Sequence, residues 1–118
     1  MSDVSPPTDR DPQYLYVCVS KEVENPPDIG RSREDVHKDH VVFLRDLFDR
    51  GLLLGSGPQQ DETGNRYGGA VVILQNVKTI EEAREIANRE PNVHEGLRTM
   101  EVFAWRRVWF GEGKTPQA

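Results

Sequence analysis

The segment EDVHKDHVVFLRDLFDRGLLLGSGP, residues 34–58, carries two histidines, His37 and His40, at an i, i+3 spacing near the head of a stretch with helical periodicity. Imidazole exchanges a proton near neutral pH, so a histidine at a helix start, facing a cavity beside a long loop, can serve as general base or acid. Two other readings fit the same residues. Both rings can be half-buried imidazoles hydrogen-bonded to backbone or water, or they can share a metal ion. Zinc sites usually take three or four protein ligands, and the remaining candidates, Cys18, Glu90 and His94, stand at no recognised ligand spacing, so no metal is expected.

Other reactive groups point to less. No nucleophile-elbow pattern is present, and Cys18 lies inside a strand-like run, where a buried thiol is usually inert. GSGP at 55–58 follows no G-x-G-x-x-G pattern and opens no helix, so it reads as a turn at a strand end rather than a phosphate loop. Arg31 and Arg33 flank the helix start. Arg33, one turn before His37 on the same arc, either frays into solvent or anchors a substrate carboxylate. Arg106 and Arg107, in the last strand, read as one surface and one interface residue.

The elements that must hold these side chains follow from periodicity. YLYVCVS (14–20) is a β-branched and aromatic run expected as a strand buried on both faces, and the Pro-containing KEVENPPDIGRS (21–32) is a long polar loop. From Arg33 to Arg50, steps of about 100° gather Val36, His37, His40, Val41, Phe43, Leu44, Leu47 and Phe48 on one arc, which places both histidines inward. Ser32 with Asp35 resembles a capping box, and Gly51 suits the position after the helix. LLLGSGP (52–58) is expected as a strand running into a Gly/Pro break, QQDETGNRYGG (59–69) as a hairpin loop, and AVVILQ (70–75) as a strand. Thr79 caps a second helix over residues 79–91, NVHEGL is suited to one short turn, and MEVFAWRRVWF (100–110) is the last strand.

The order β-α-β-β-α-β is the split βαβ, or ferredoxin-like, arrangement: an α+β fold with a four-stranded antiparallel sheet and both helices on one face. Tyr14, Tyr16, Val102, Trp105 and Trp109 are too apolar for both sheet faces to be wetted, so a homodimer packed sheet against sheet is expected.

With 118 residues, the chain suits one domain, here residues 13–110, between a flexible arm (1–12) rich in Pro and Asp and a flexible tail, GEGKTPQA (111–118). A net charge of −5 argues against nucleic acid and anionic membrane as partners. The single cysteine forms no internal disulfide, no leader pattern opens the chain, and no apolar run approaches the ~20 residues of a membrane span. A cytoplasmic location is expected.

HVVFLRDLFDRGLLLGSGP, followed by DETGN, GGAVVIL and ANREPNVHEGL, resembles the YciI-like (YCII-related) family of dimeric α/β-barrel proteins over residues 14–106. The resemblance implies a ferredoxin-like protomer that dimerises through its sheet. It implies a pocket with a histidine matched by His40 and an acid matched by Glu90, where the family typically has Asp. Gly57, Pro58, Asn92, His37 and Arg33 would then contact the ligand. His37 stands where relatives often carry Arg, and Asn92 where an aromatic is common. Relatives in fold include muconolactone isomerase and chloromuconolactone dehalogenase, which need no cofactor. A cofactor-independent isomerisation or elimination follows, with His40 taking a proton beside a carbonyl, Glu90 orienting it, and His37 or Arg33 holding a carboxylate or stabilising an enolate. A ligand-binding or regulatory dimer without chemistry is the alternative, and a purely structural module would leave His40 exposed with no cavity beside it.

Overall fold

The computed structural model describes residues 13–109 and 111, so the arm expected over 1–12 and the tail beyond Gly111 lie outside the described residues. The elements are β1 (Gln13–Glu22), α1 (Arg33–Asp49), β2 (Leu53–Gln60), β3 (Arg66–Leu74), α2 (Ile80–Asn88), α3 (Pro91–His94) and β4 (Arg98–Arg107). Ser32 caps α1, its Oγ accepting the Asp35 N–H at 3.1 Å. Gly51, at φ 73°, takes the left-handed conformation that ends the helix. Thr79 caps α2 in the same way, 3.1 Å from the Glu82 N–H. Pro91 does more than stop α2: it occupies the first turn of α3, where its missing N–H costs nothing. No described helix is long and apolar enough to cross a membrane.

The strands pair in the order β2-β3-β1-β4, every neighbour antiparallel. This is the ferredoxin-like α+β arrangement. One face of the sheet carries Tyr16, Cys18, Val72 and Leu74 into a core closed by Leu47 of α1 and Ala83 and Ala87 of α2. β1 and β4 run in unbroken register from Gln13↔Arg107 to Glu22↔Arg98, and this register decides which side chains share a face.

That register changes the membership expected for the free face. Tyr16 and Val102 belong to the helix-covered core, since Cys18 pairs with Val102 and Tyr16 with Ala104. The face away from the helices is built from the alternate positions: Val17 and Val19 of β1, Val71 and Ile73 of β3, and Phe103 and Trp105 of β4, with Leu15 at its edge already buried within the chain. Phe103 and Trp105 are 46% and 40% exposed. β1 is therefore not buried uniformly: its helix-facing positions from Tyr16 to Ser20 are buried, while Val17 and Val19 are half-buried.

Two other differences have local causes. Strand β2 continues through Gly55, Gly57 and Pro58 rather than breaking there, because it is an edge strand and a proline N–H is dispensable at an edge. Its register with β3 slips between Leu53 and Gly55 and again between Pro58 and Gln60. On α1, Val41 and Phe48 are 52% and 62% exposed, since the helix meets the sheet only along the narrower stripe of Val36, Phe43, Leu44 and Leu47.

Near the site, β1 and β3 approach so closely that a Cβ on Gly69 would overlap the Ser20 carbonyl. Ser20 Oγ takes over from the backbone ladder there, accepting the Ala70 N–H at 3.0 Å and donating to the Ala70 carbonyl at 3.4 Å. The atom a Cβ would strike is rigid backbone, so Gly69→Ala should cost about 2–3 kcal/mol, read as a lowered urea midpoint at unchanged m-value.

Candidate active site

The Glu90 carboxylate is almost fully buried, its side chain 3% exposed, at the point where α2 gives way to α3. It also serves as the N-cap of α3, with Oε2 accepting the Val93 N–H at 3.1 Å. Oε1 takes the other two bonds, from Asn92 Nδ2 at 3.0 Å and from His40 Nδ1 at 2.5 Å. On its far side the acid meets the core beside Phe43, Leu47, Ile86 and Met100. His40 itself is 16% exposed, reaching Glu90 from the inward stripe of α1.

An ionised carboxylate only accepts hydrogen bonds, so Nδ1 of His40 must carry the proton it shares with Glu90. In the neutral ring Nε2 is then left as the acceptor, the nitrogen able to take a proton. The side chains of His40 and His37 lie with ring centroids 5.7 Å apart and planes tilted by 31°.

His40 lines a cavity of about 640 Å³ between α1 and the sheet. Arg33, His37, Gly57, Pro58 and Asn92 line the same cavity, so six of the seven residues singled out from the sequence meet there, with Glu90 behind His40. Their settings are unequal. His37 is exposed at the rim rather than turned inward, since the sheet extends under only the middle of α1's apolar arc. Gly57 contributes backbone, because it pairs with Val71 and its missing side chain would point to the opposite face. Asn92 is 7% exposed and holds Glu90 as well as lining the cavity. Cys18, weighed as a metal ligand, lies in the core with its thiol pushed up to about 11 by burial. Among the described residues no three His, Cys, Asp or Glu side chains gather as a metal site.

An ion pair in the cavity wall escaped the sequence reading. Glu22, at the end of β1, and Arg98, at the start of β4, both line the cavity and form an ion pair at 3.0 Å. Arg33 joins the same carboxylate at 3.3 Å. A signal did exist: Tyr16, Cys18, Ser20 and Glu22 alternate along one strand, so a strand face that is apolar for most of its length ends in an acid.

The YCII-related domain matches residues 14–106. The chain belongs to the YCII-related family. No curated protein matches it. Among solved structures, it is similar to 5-chloro-2-hydroxyhydroquinone dehydrochlorinase from Burkholderia phenoliruptrix AC1100, solved in complex with 2,5-dihydroxybenzoquinone. The TM-score is 0.59 at 21% sequence identity, over 77% of this chain and 92% of that one. At that identity the likeness is one of fold.

Within this YCII-related protein, opposing effects set the charge of Glu90. Burial pushes its carboxyl up, but hydrogen bonds from His40 and Asn92, the attraction of a charged His40 and a backbone N–H outweigh it, so the group sits below the ordinary carboxylate range. A depressed folded value stabilises the fold above the unfolded pKa of about 4.3, and that contribution disappears as the pH falls through the folded value. Thermal unfolding between pH 7 and pH 3 should therefore show a smaller acid-side drop for Glu90→Gln than for wild type. Glu90→Ala, which strands three donors, should cost about 2–4 kcal/mol at pH 7.

Proposed function

We propose that this protein is a cofactor-independent enzyme of the YCII-related type, acting on a small molecule by proton transfer beside a carbonyl or lactone. The observation that carries the reading is the 2.5 Å contact of His40 Nδ1 with the buried Glu90, at the wall of a cavity sized for a small molecule. Nε2 removes a proton from the carbon α to the carbonyl, and the C–H electron pair forms an enolate. In an elimination those electrons expel a leaving group from the β-carbon; in an isomerisation the proton returns at a different carbon. Glu90 holds the tautomer and balances the imidazolium, the part an acid plays behind a catalytic histidine. His37 and Arg33 at the rim would favour negative charge on oxygen. The similar fold of a dehydrochlorinase bound to a dihydroxybenzoquinone supports elimination from an oxygenated ring as the first chemistry to test.

The working form in this proposal is a homodimer. Val17, Val19, Val71, Ile73, Phe103 and Trp105 make an apolar face that neither α1 nor α2 covers, and a second copy laid sheet to sheet would bury it. Sedimentation velocity at micromolar concentration should give a dimer, and Phe103→Lys a monomer; a wild-type monomer would rule the arrangement out.

For the chemistry, His40→Ala should fold and assemble as wild type and lose about 10²–10⁴-fold in turnover on a panel of lactones, enol-lactones and chlorinated hydroquinones. Full activity in His40→Ala would overturn the mechanism. Stabilisation of the wild type by panel members without turnover would instead favour a ligand-binding dimer.

A further inference from the structure

We infer that the cavity receives an anionic group of its ligand on Arg98 and Arg33, in exchange for the Glu22 carboxylate that pairs with both. This rests on reading the cavity as a small-molecule site and specifies which molecules it takes: those carrying a carboxylate or a comparable planar anion.

Arg98 is the fixed half of the seat. It opens β4 directly opposite Glu22 in the β1–β4 register, and its side chain is only 11% exposed. A guanidinium so far out of water needs a permanent counter-charge, because its desolvation is repaid only by a close anion. Glu22 supplies one, with Oε1 accepting from Arg98 Nε at 3.0 Å and Oε2 from Arg33 Nη2 at 3.3 Å. One carboxylate thus spans two arginines, the geometry in which a carboxylate-bearing ligand would be held.

Glu22 is the replaceable half. Its side chain is 41% exposed and that of Arg33 51%, and it ends β1 where the chain enters the loop of residues 23–32. The Glu22–Arg33 pair, open to water at both ends, contributes little net stability, and replacing Glu22 by another carboxylate costs the fold little as long as Arg98 stays neutralised. Among the described residues Glu22 is the only hydrogen-bond partner of Arg98, and it engages Nε. Neither Nη group bonds to another described side chain, which leaves both positioned for a bidentate ligand. Glu34, the other acid lining the cavity, pairs with neither arginine among the described residues. His40 lines the same cavity, so a ligand anchored through its anion presents its remaining atoms toward the acid/base group.

Calorimetric titration of the full chain with benzoate, a planar monocarboxylate, and benzyl alcohol, its neutral counterpart, reads the seat without requiring turnover. Wild type should prefer benzoate by about tenfold, Glu22→Gln should tighten benzoate a further three- to tenfold (roughly) and leave benzyl alcohol unchanged, and Arg98→Gln should abolish the preference. Circular dichroism of each variant separates loss of the seat from loss of the fold, and Arg33→Gln with Glu22→Gln carries the comparison if Arg98→Gln unfolds. A Glu22→Gln chain that binds benzoate no more tightly than wild type overturns the proposal, as does a wild type that does not distinguish the two probes. His40→Ala should keep the benzoate preference while losing turnover, so failure of the seat and failure of the proton-transfer mechanism appear in different measurements.

Discussion

A carboxylate withdrawn from water remains charged only where enough donors converge on it, and the arrangement around Glu90 follows from that requirement. Its donors come from separate pieces of chain: His40 from the first helix, Asn92 and Val93 from the short turn that follows the second. Satisfying them demands that Pro91 start a new turn and that α1 lie close enough for an imidazole to reach across. The loop of residues 23–32 is tied to the same region through Arg31, which pairs with Asp39 on α1 and, at 3.3 Å, with Glu95 just past α3. A buried carboxylate therefore joins the two halves of the βαββαβ chain at the point where the cavity opens.

Two acids meet the cavity region on opposite terms. Glu90 is sealed, holds its partner at 2.5 Å and stabilises the fold only as a charged group. Glu22 is partly open to water and bridges two arginines, the exposed Arg33 and the largely buried Arg98 that depends on its charge. The buried acid holds an imidazole, while the exposed one, in the proposed exchange, yields its place to a foreign anion.

The sheet is similarly two-sided. Central strand β1 sends Tyr16, Cys18 and Ser20 under the helices and leaves Val17 and Val19 on the opposite side with Phe103 and Trp105. The cavity belongs to the helix side, so covering the free face with another subunit would leave the site's lining intact. Gly57 shows the separation within one residue: its backbone borders the cavity while the position of its absent side chain belongs to the far face.

Local chemistry in the sequence was enough for the element order, for the caps at Ser32, Gly51 and Thr79, and for the inward setting of His40, because each depends on residues within a turn or two of one another. The pattern of the family added Glu90 as the partner of His40. Tertiary structure alone decided the rest. It showed that Tyr16 and Val102 face the core, that His37 stays at the rim, and that Glu22 and Arg98, 76 residues apart, form one pair. Periodicity states where a side chain points relative to its own helix or strand. Which side chains then meet depends on strand register and on how much of a helix the sheet can cover, and those are properties of the assembled elements.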